Sequence, residues 1–316
     1  MGTAPRHFID LADLRPKDIR QILDTAHARK AARAGFSRGR KDDDMPLDGK
    51  ILAMVFDKPS TRTRVSFDLA MRQLGGQTMV LNQSDMQLGR GEELSDTAQV
   101  LSRYVDAIMV RTGPHENLIE LAAHAAIPVI NGLTAFSHPC QILADIMTFE
   151  EHRGPVEGRK IAWLGDGNNV SVSWIQAATL LGFELHLAVP DMFRPPSDVL
   201  DWAAAQGGNV HVGNDPQAAV SGAAAVNADC WVSMSDDPDT AAARAAAFAP
   251  YQVTADLMTL GDDAVFLHCL PAYRGNEVTA AVIDGPQSVI FDEAENRNHA
   301  QKAILTWCFD VNSSDI

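Results

Sequence analysis

Ser60-Thr61-Arg62-Thr63-Arg64 gathers three hydroxyls and two guanidinium groups into about one helical turn, directly behind the apolar run Ile51–Phe56. Phe67, Ala70, Met71 and Leu74 then recur at the spacing of one helix face, and Gly75-Gly76 closes the pattern. Ser60 therefore reads as the N-cap of a helix. The unbonded N–H groups of a first helical turn and the helix dipole both favour an anion. Arginine adds planar, bidentate recognition of phosphate oxygens. The stretch reads as a cradle for phosphate or a similar dianion. It is not a P-loop, because Gly-x-x-x-x-Gly-Lys is missing. A capped helix with solvated arginines is the plain alternative, and it accounts for one polar residue here better than for five.

Further chemistry-bearing stretches stand at the ends of other apolar runs. Arg111 ends the run 107–110. His138-Pro139-Cys140-Gln141 opens a helix, with proline at a favoured first position. A histidine and a glutamine there can both donate to a developing oxyanion. Gly165-Asp-Gly-Asn-Asn-Val170 follows an apolar run and mimics half of a dinucleotide fingerprint, but Val170 stands where the third glycine belongs. Its asparagine pair suits a zwitterion better than a pyrophosphate. Asp229 follows 224–226 and is a natural partner for an ammonium group. In His268-Cys269-Leu270-Pro271, Cys269 is a better functional candidate than Cys140, Cys230 or Cys308. It lacks the base partner of a covalent nucleophile.

Short apolar runs alternate with helical periodicity along the whole chain. Strands are expected at 51–56, 78–81, 107–111, 128–130, 160–164, 184–189, 210–212, 224–227, 264–269 and 288–291. Helices are expected at 16–33, 61–74, 95–104, 116–126, from 138 to about 153, at 241–249 and at about 295–309. Such alternation implies an α/β protein with two doubly wound parallel-sheet domains, joined near 153. The charged stretch from Lys30 to Lys50 reads as a helix end and a solvated loop. In doubly wound sheets ligands collect beyond the carboxyl ends of the strands, and those ends are where the polar residues named above fall.

Composition narrows the function classes. The 316 residues carry a formal charge of −15, which disfavours a general nucleic-acid or anionic-membrane surface. Local arginines at Arg62, Arg64, Arg111 and Arg297 within an acidic chain suit a small anionic substrate instead. The four cysteines lack C-x-x-C spacing, so neither a zinc site nor a disulfide framework is expected. No apolar h-region opens the chain, and no run approaches the length of a membrane span. A cytoplasmic setting is the expectation.

These motifs together resemble a known family. Phe56-Asp-Lys-Pro-Ser-Thr-Arg-Thr-Arg-Val-Ser-Phe67 resembles the carbamoyl-phosphate signature of the aspartate/ornithine carbamoyltransferases, and His138-Pro-Cys-Gln141 is similar to their H-P-x-Q element. His268-Cys-Leu-Pro271 and Phe291-Asp-Glu-Ala-Glu-Asn-Arg297 are similar to the ornithine branch. The likeness runs from about Phe8 to Phe309. It implies transfer of the carbamoyl group of carbamoyl phosphate to the δ-amine of L-ornithine, giving L-citrulline and phosphate. It implies no metal or organic cofactor, and a homotrimer with shared active sites. It further implies a carbamoyl-phosphate domain at 1–153, with the last helix (295–316) packing back on it, and an ornithine domain at 154–294. By motif, Ser60, Thr61, Arg62 and Thr63 would hold the phosphate. Arg111, His138, Pro139, Cys140 and Gln141 would surround the carbamoyl end, with Cys269, Leu270 and Arg297 closing the site. Gln87 would reach a neighbouring subunit's site. Asn169, Asp229, Ser233 and Met234 would bind ornithine. Arg111, His138, Asp229 and Cys269 would be the catalytic set.

Two positions depart from the family pattern. Ser235 replaces the glycine of Ser-Met-Gly, and Tyr273 replaces the second histidine of H-C-L-P-A-H-R-G. Both bear on amine specificity. Three rival readings stand beside ornithine transfer: a carbamoyltransferase for aspartate, putrescine or an N-acylated ornithine; a dinucleotide-dependent oxidoreductase using 165–170; and a non-catalytic subunit that binds carbamoyl phosphate.

Overall fold

The computed structural model of the chain describes residues 4–58, 60–86, 91–232 and 240–311. Gln87, Ser233, Met234 and Ser235 lie outside the described residues. The chain divides into two compact units, Met1–Leu143 with Arg297–Ile316, and Ala144–Asn296.

The first unit is built on a parallel sheet of β1 (Ile51–Phe56), β2 (Gln77–Asn82), β3 (Ala107–Arg111) and β4 (Val129–Leu133), in the order β2-β1-β3-β4. α1 (Pro16–Ala32) precedes β1. The crossovers are α2 (Thr61–Gln73), α3 (Leu94–Leu101) and α4 (His115–His124). β1 and β3 are buried almost throughout, which explains their unbroken apolar runs: helices cover both faces. Ala53, Val55, Ile108 and Val110 pack with Leu101 of α3 and with Leu118 and Leu121 of α4. The stripe expected on α2 is the buried one, with Phe67, Ala70, Met71 and Leu74 all fully inaccessible. That anchorage holds the helix's first turn in place. β2 is an edge strand, and Met79 and Val80 on it are 45% and 40% exposed.

In the second unit β5 (Lys160–Leu164), β6 (Glu184–Ala188), β7 (Val210–Gly213), β8 (Ala225–Ala228) and β9 (Val265–Leu267) form a parallel sheet ordered β7-β6-β5-β8-β9. α5 (Pro139–Arg153) leads into it. α6 (Asn169–Leu181), α7 (Ser197–Ala205), α8 (Pro216–Val220), α9 (Ala241–Phe248), α10 (Ala255–Met258) and α11 (Ala280–Ile283) follow among the strands, and α12 (Ile290–Cys308) ends the described fold. The unit division falls inside α5 and α12.

Two expectations need correction. The apolar run 288–291 is not a strand. Ser288 makes one isolated bridge to Phe266, and helix begins at Ile290, earlier than the expected 295. Asp292 and Glu293 fill the first turn, where carboxylates complement the helix dipole, and they override a run too short to propagate as sheet. The charged stretch after Lys30 is also not uniformly solvated. Asp42 is buried and pairs with Arg29, Arg33 and the fully buried Lys302 of α12. A hydropathy pattern cannot register that partner, because it arrives from about 260 residues away.

Removing Asp42 takes the carboxylate from the buried Lys302 and from Arg33, and leaves Arg29 with Asp44 alone. Asp42→Ala is expected to destabilise the protein by about 3–5 kcal/mol, read from urea unfolding midpoints at neutral pH. An unchanged midpoint would show that the network is dispensable.

Candidate functional site

Each sheet has one place where successive crossovers leave in opposite directions, and a crevice opens there beyond the carboxyl ends of the strands. In the first sheet it lies between β1 and β3, where Phe56 and Arg111 are register partners. In the second it lies between β5 and β8. The candidate residues taken up below gather around these two places.

At the first, Ser60 is the N-cap of α2 with extended backbone, and its hydroxyl makes no capping bond. Thr61 and Arg62 are exposed, while Thr63 is buried and its hydroxyl accepts a hydrogen bond of 3.0 Å from Arg111 Nη1. Arg64 turns elsewhere. It donates to Asn82 Oδ1 at 2.9 Å and lies over the Phe56 ring, so it braces α2 against β1 and β2 and does not join the cradle.

His138 reaches the same place through a tight turn after β4. Asn131 donates to the Ser137 hydroxyl and to the Ile9 carbonyl, and Thr134 and Ser137 exchange further bonds. Pro139 then starts α5. His138 is buried, and its pKa is held well below the usual imidazole value, first by burial and then by Arg297, Arg111 and Arg62. The ring is therefore neutral near pH 7 and can donate one N–H to a carbonyl oxygen. Gln141, one turn on, accepts from Arg297 Nη1 of α12. Cys140 faces the strand instead. Its thiol donates to the Asn131 carbonyl at 3.2 Å, and burial pushes its pKa up to about 12. What Cys140 can offer a ligand is thus its backbone N–H, and Pro139 has none to offer.

At the second place Asn168 and Asp229 join the outgoing loops of β5 and β8. Asn168 caps α6 by accepting from the amides of Val170 and Ser171, and its Nδ2 donates to Asp229 Oδ2 at 2.8 Å. Asp229 Oδ1 accepts from the Cys230 amide at 2.7 Å and from the Cys269 thiol at 3.2 Å. The Cys269 pKa is driven well above its ordinary value by burial, Asp229, Cys230 and Glu293. Cys269 is thus a thiol that donates to a carboxylate, not a thiolate nucleophile. Glu293 accepts from the His268 amide, and His268 Nδ1 accepts from the Leu270 amide at 2.9 Å. The 268–270 turn is held from both sides. Asn169, the first residue of α6, is half-buried beside this group.

The Gly165–Gly167 motif has a structural reason. A Cβ on Gly167 would stand 2.3 Å from the Pro195 amide nitrogen and 2.4 Å from the Phe193 carbonyl oxygen. Gly167 is needed for close approach of the chain's own backbone, so it is no sign of a bound pyrophosphate. Sequence reasoning missed Asn131, Ser137, Asn168 and Glu293 as supports. The S/T/N-rich turn 131–137 was the available signal for the first two.

Comparison with known proteins gives an independent reading. The model described as "Aspartate/ornithine carbamoyltransferase, carbamoyl-P binding domain" matches residues 6–151, and the Asp/Orn binding domain model of the same family matches 157–308. The ornithine carbamoyltransferase of Nitrobacter winogradskyi is 56% identical over 312 residues, covering 98% of each chain. That of Caulobacter vibrioides is 58% identical over 311 residues, covering 97% of this chain and 98% of its own. The solved ornithine carbamoyltransferase of Pyrococcus furiosus superposes with a TM-score of 0.90 at 46% identity, covering 97% of both chains.

The histidine has a measurable signature. Unfolded, it takes up a proton below about pH 6.5, whereas folded it does not, so acid favours unfolding. Between pH 7.5 and 5.5, wild type is expected to lose about 1 kcal/mol of stability that His138→Gln does not lose, read from urea unfolding at both pH values. Equal losses in the two proteins would mean that His138 titrates normally.

Proposed function

Because the chain belongs to the aspartate/ornithine carbamoyltransferase family, we propose that its two constellations divide the transfer of a carbamoyl group from carbamoyl phosphate to L-ornithine between them. The observation that carries this reading is the first-sheet site. An exposed Arg62 and an uncapped Ser60 start α2, Thr63 is fixed by Arg111, and a neutral His138 lies within the field of three arginines. Ser60, Thr61, Arg62 and Thr63 grip the phosphate. Arg111, Thr63 and His138 aim donors at the carbonyl oxygen, with Gln141 and Arg297 completing that side. One such donor contributes about 3 kcal/mol to a transition state in which charge develops on oxygen.

The amine must arrive neutral. Asp229 and the Cys269 thiol orient the δ-nitrogen, and Asn169 takes part of the amino-acid end, together with Ser233 and Met234. Leu270 and Cys269 border the carbamoyl group. A carboxylate at this place suits a cationic amine and disfavours aspartate as second substrate. Attack of the neutral δ-amine forms the C–N bond and a tetrahedral oxyanion, which then collapses with cleavage of the C–O bond to phosphate. The departing phosphate accepts the proton released by the amine. Holding both substrates in line supplies several further kcal/mol.

The domain assignment follows the same division: 1–153 with the C-terminal segment 295–316 for carbamoyl phosphate, and 154–294 for ornithine. A homotrimer with shared sites belongs to this reading, with Gln87 reaching a neighbouring copy. The exposed apolar side chains of Val65, Met79 and Val80 around edge strand β2 support an interface between copies. All four cysteines are free thiols, which fits a reducing cytoplasm, and among the described residues no helix is long and apolar enough to cross a membrane.

Arg62→Leu is expected to raise KM for carbamoyl phosphate and lower kcat, with kcat/KM down roughly 10–100-fold for the loss of charge-assisted bonds. Wild-type kinetics in that variant would remove the cradle assignment. Parallel citrulline-type assays with ornithine, putrescine and acetylornithine are expected to favour ornithine. Faster turnover of either other amine would move the chain to a different branch of the family.

A further inference from the structure

A second group of ligating side chains lies at the amino-terminal ends of two strands in the second sheet, the end opposite the reactive loops. Glu184 and His186 are two residues apart on β6 and therefore share a face. His211 on edge strand β7 is the register partner of His186 and shares that face too. The two imidazole rings lie 4.4 Å apart between centroids at 36°. His186 Nε2 is bonded to Glu184 Oε1, whereas His211 Nε2 is bonded to Asn209 Oδ1 and stands 3.9 Å from the same Glu184 oxygen. The three donor atoms all lie within 4.8 Å of one another.

Two imidazoles tilted against each other beside one carboxylate oxygen make a poor arrangement for ion pairing alone, since protonating both rings would set two cations side by side. It is a good arrangement for a shared cation. Two imidazole nitrogens and one carboxylate oxygen suit Zn²⁺, and a tetrahedral site needs donors about 3.3 Å apart, reachable by small side-chain rotations. Glu184 and His211 are partly exposed, which leaves them free to rotate and leaves water the fourth position. Asn209 Oδ1, 2.8 Å from His211 Nε2, is the neighbouring oxygen that would yield or join. Lys160, the register partner of Glu184, is a cation that opposes the site through its field. Its ammonium group is turned to the Ala218 and Ser221 carbonyls.

We propose that Glu184, His186 and His211 form a surface site for a borderline divalent transition metal of the Zn²⁺ class, separate from the carbamoyl-transfer residues. Asp229, His268 and Cys269 are the competing set within the reactive region, so the test must discriminate between the two. Zn²⁺ is titrated calorimetrically into the full-length protein carrying Cys269→Ser, with and without His186→Ala or His211→Ala. Co²⁺ titration of the same proteins reads the visible d–d bands of a low-coordinate site. One equivalent per chain is expected in Cys269→Ser, weakened at least tenfold by either histidine substitution, with loss of the Co²⁺ bands. In the otherwise wild-type chain, His211→Ala is expected to leave carbamoyl transfer and the circular dichroism spectrum unchanged. Binding that disappears with Cys269→Ser, or that survives both histidine substitutions, overturns the assignment.

Discussion

Cationic groups held together against their mutual repulsion are the constraint on which this protein rests. Burial first, and then Arg297, Arg111 and Arg62 around the ring, keep the His138 imidazole neutral where an exposed one would titrate. Such an arrangement survives only on rigid supports. α2 supplies one through Phe67, Ala70, Met71 and Leu74, all fully buried, and Arg64 locks its outer side onto Asn82 and Phe56. The returning α12 supplies another, since Arg297 is buried and fixed to Gln141. The positive field is thus prepared before any anion arrives, which is the condition under which electrostatics lowers a barrier without reorganisation.

The second constellation is the electrostatic counterpart. Asp229 gathers donors from three directions: Asn168 of the α6 cap, the Cys230 amide and the Cys269 thiol. Each donor comes from a different strand exit, so the carboxylate is where the β5, β8 and β9 loops are tied together. The same contacts explain the thiol's chemistry. A cysteine that donates to a carboxylate is held protonated, so its chemistry is that of a hydrogen-bond donor and not of a nucleophile.

Parallel topology links the two. A doubly wound sheet sends its loops to one edge, and the switch between β1 and β3, or between β5 and β8, leaves a crevice that side chains line without distorting the core. The chain uses that rule twice, once with guanidinium and hydroxyl groups and once with a carboxylate and a thiol. Carbamoyl transfer to ornithine calls for that pairing: one substrate is a dianion, and the other brings a cationic amine that must be steered and deprotonated.

Periodicity and local motif carried far. Unbroken apolar runs at 51–56, 107–110 and 161–164 marked buried parallel strands, and the Ser60-Thr-Arg-Thr turn, Arg111, His138 and Asp229 were legible because they lie beyond the ends of apolar runs. Those features are local and need no fold to be read. The other points waited for the folded chain, because each depends on which neighbour a residue meets there. Arg64 left the cradle for Asn82, Cys140 turned its thiol to β4, and Gly167 proved to be packed against residues 193–195. Asp42 was buried by Lys302, and 288–291 became the approach to a helix once Asp292 and Glu293 met its dipole. A one-dimensional pattern records what a residue can do, whereas burial and the choice of partner are set only when distant segments meet.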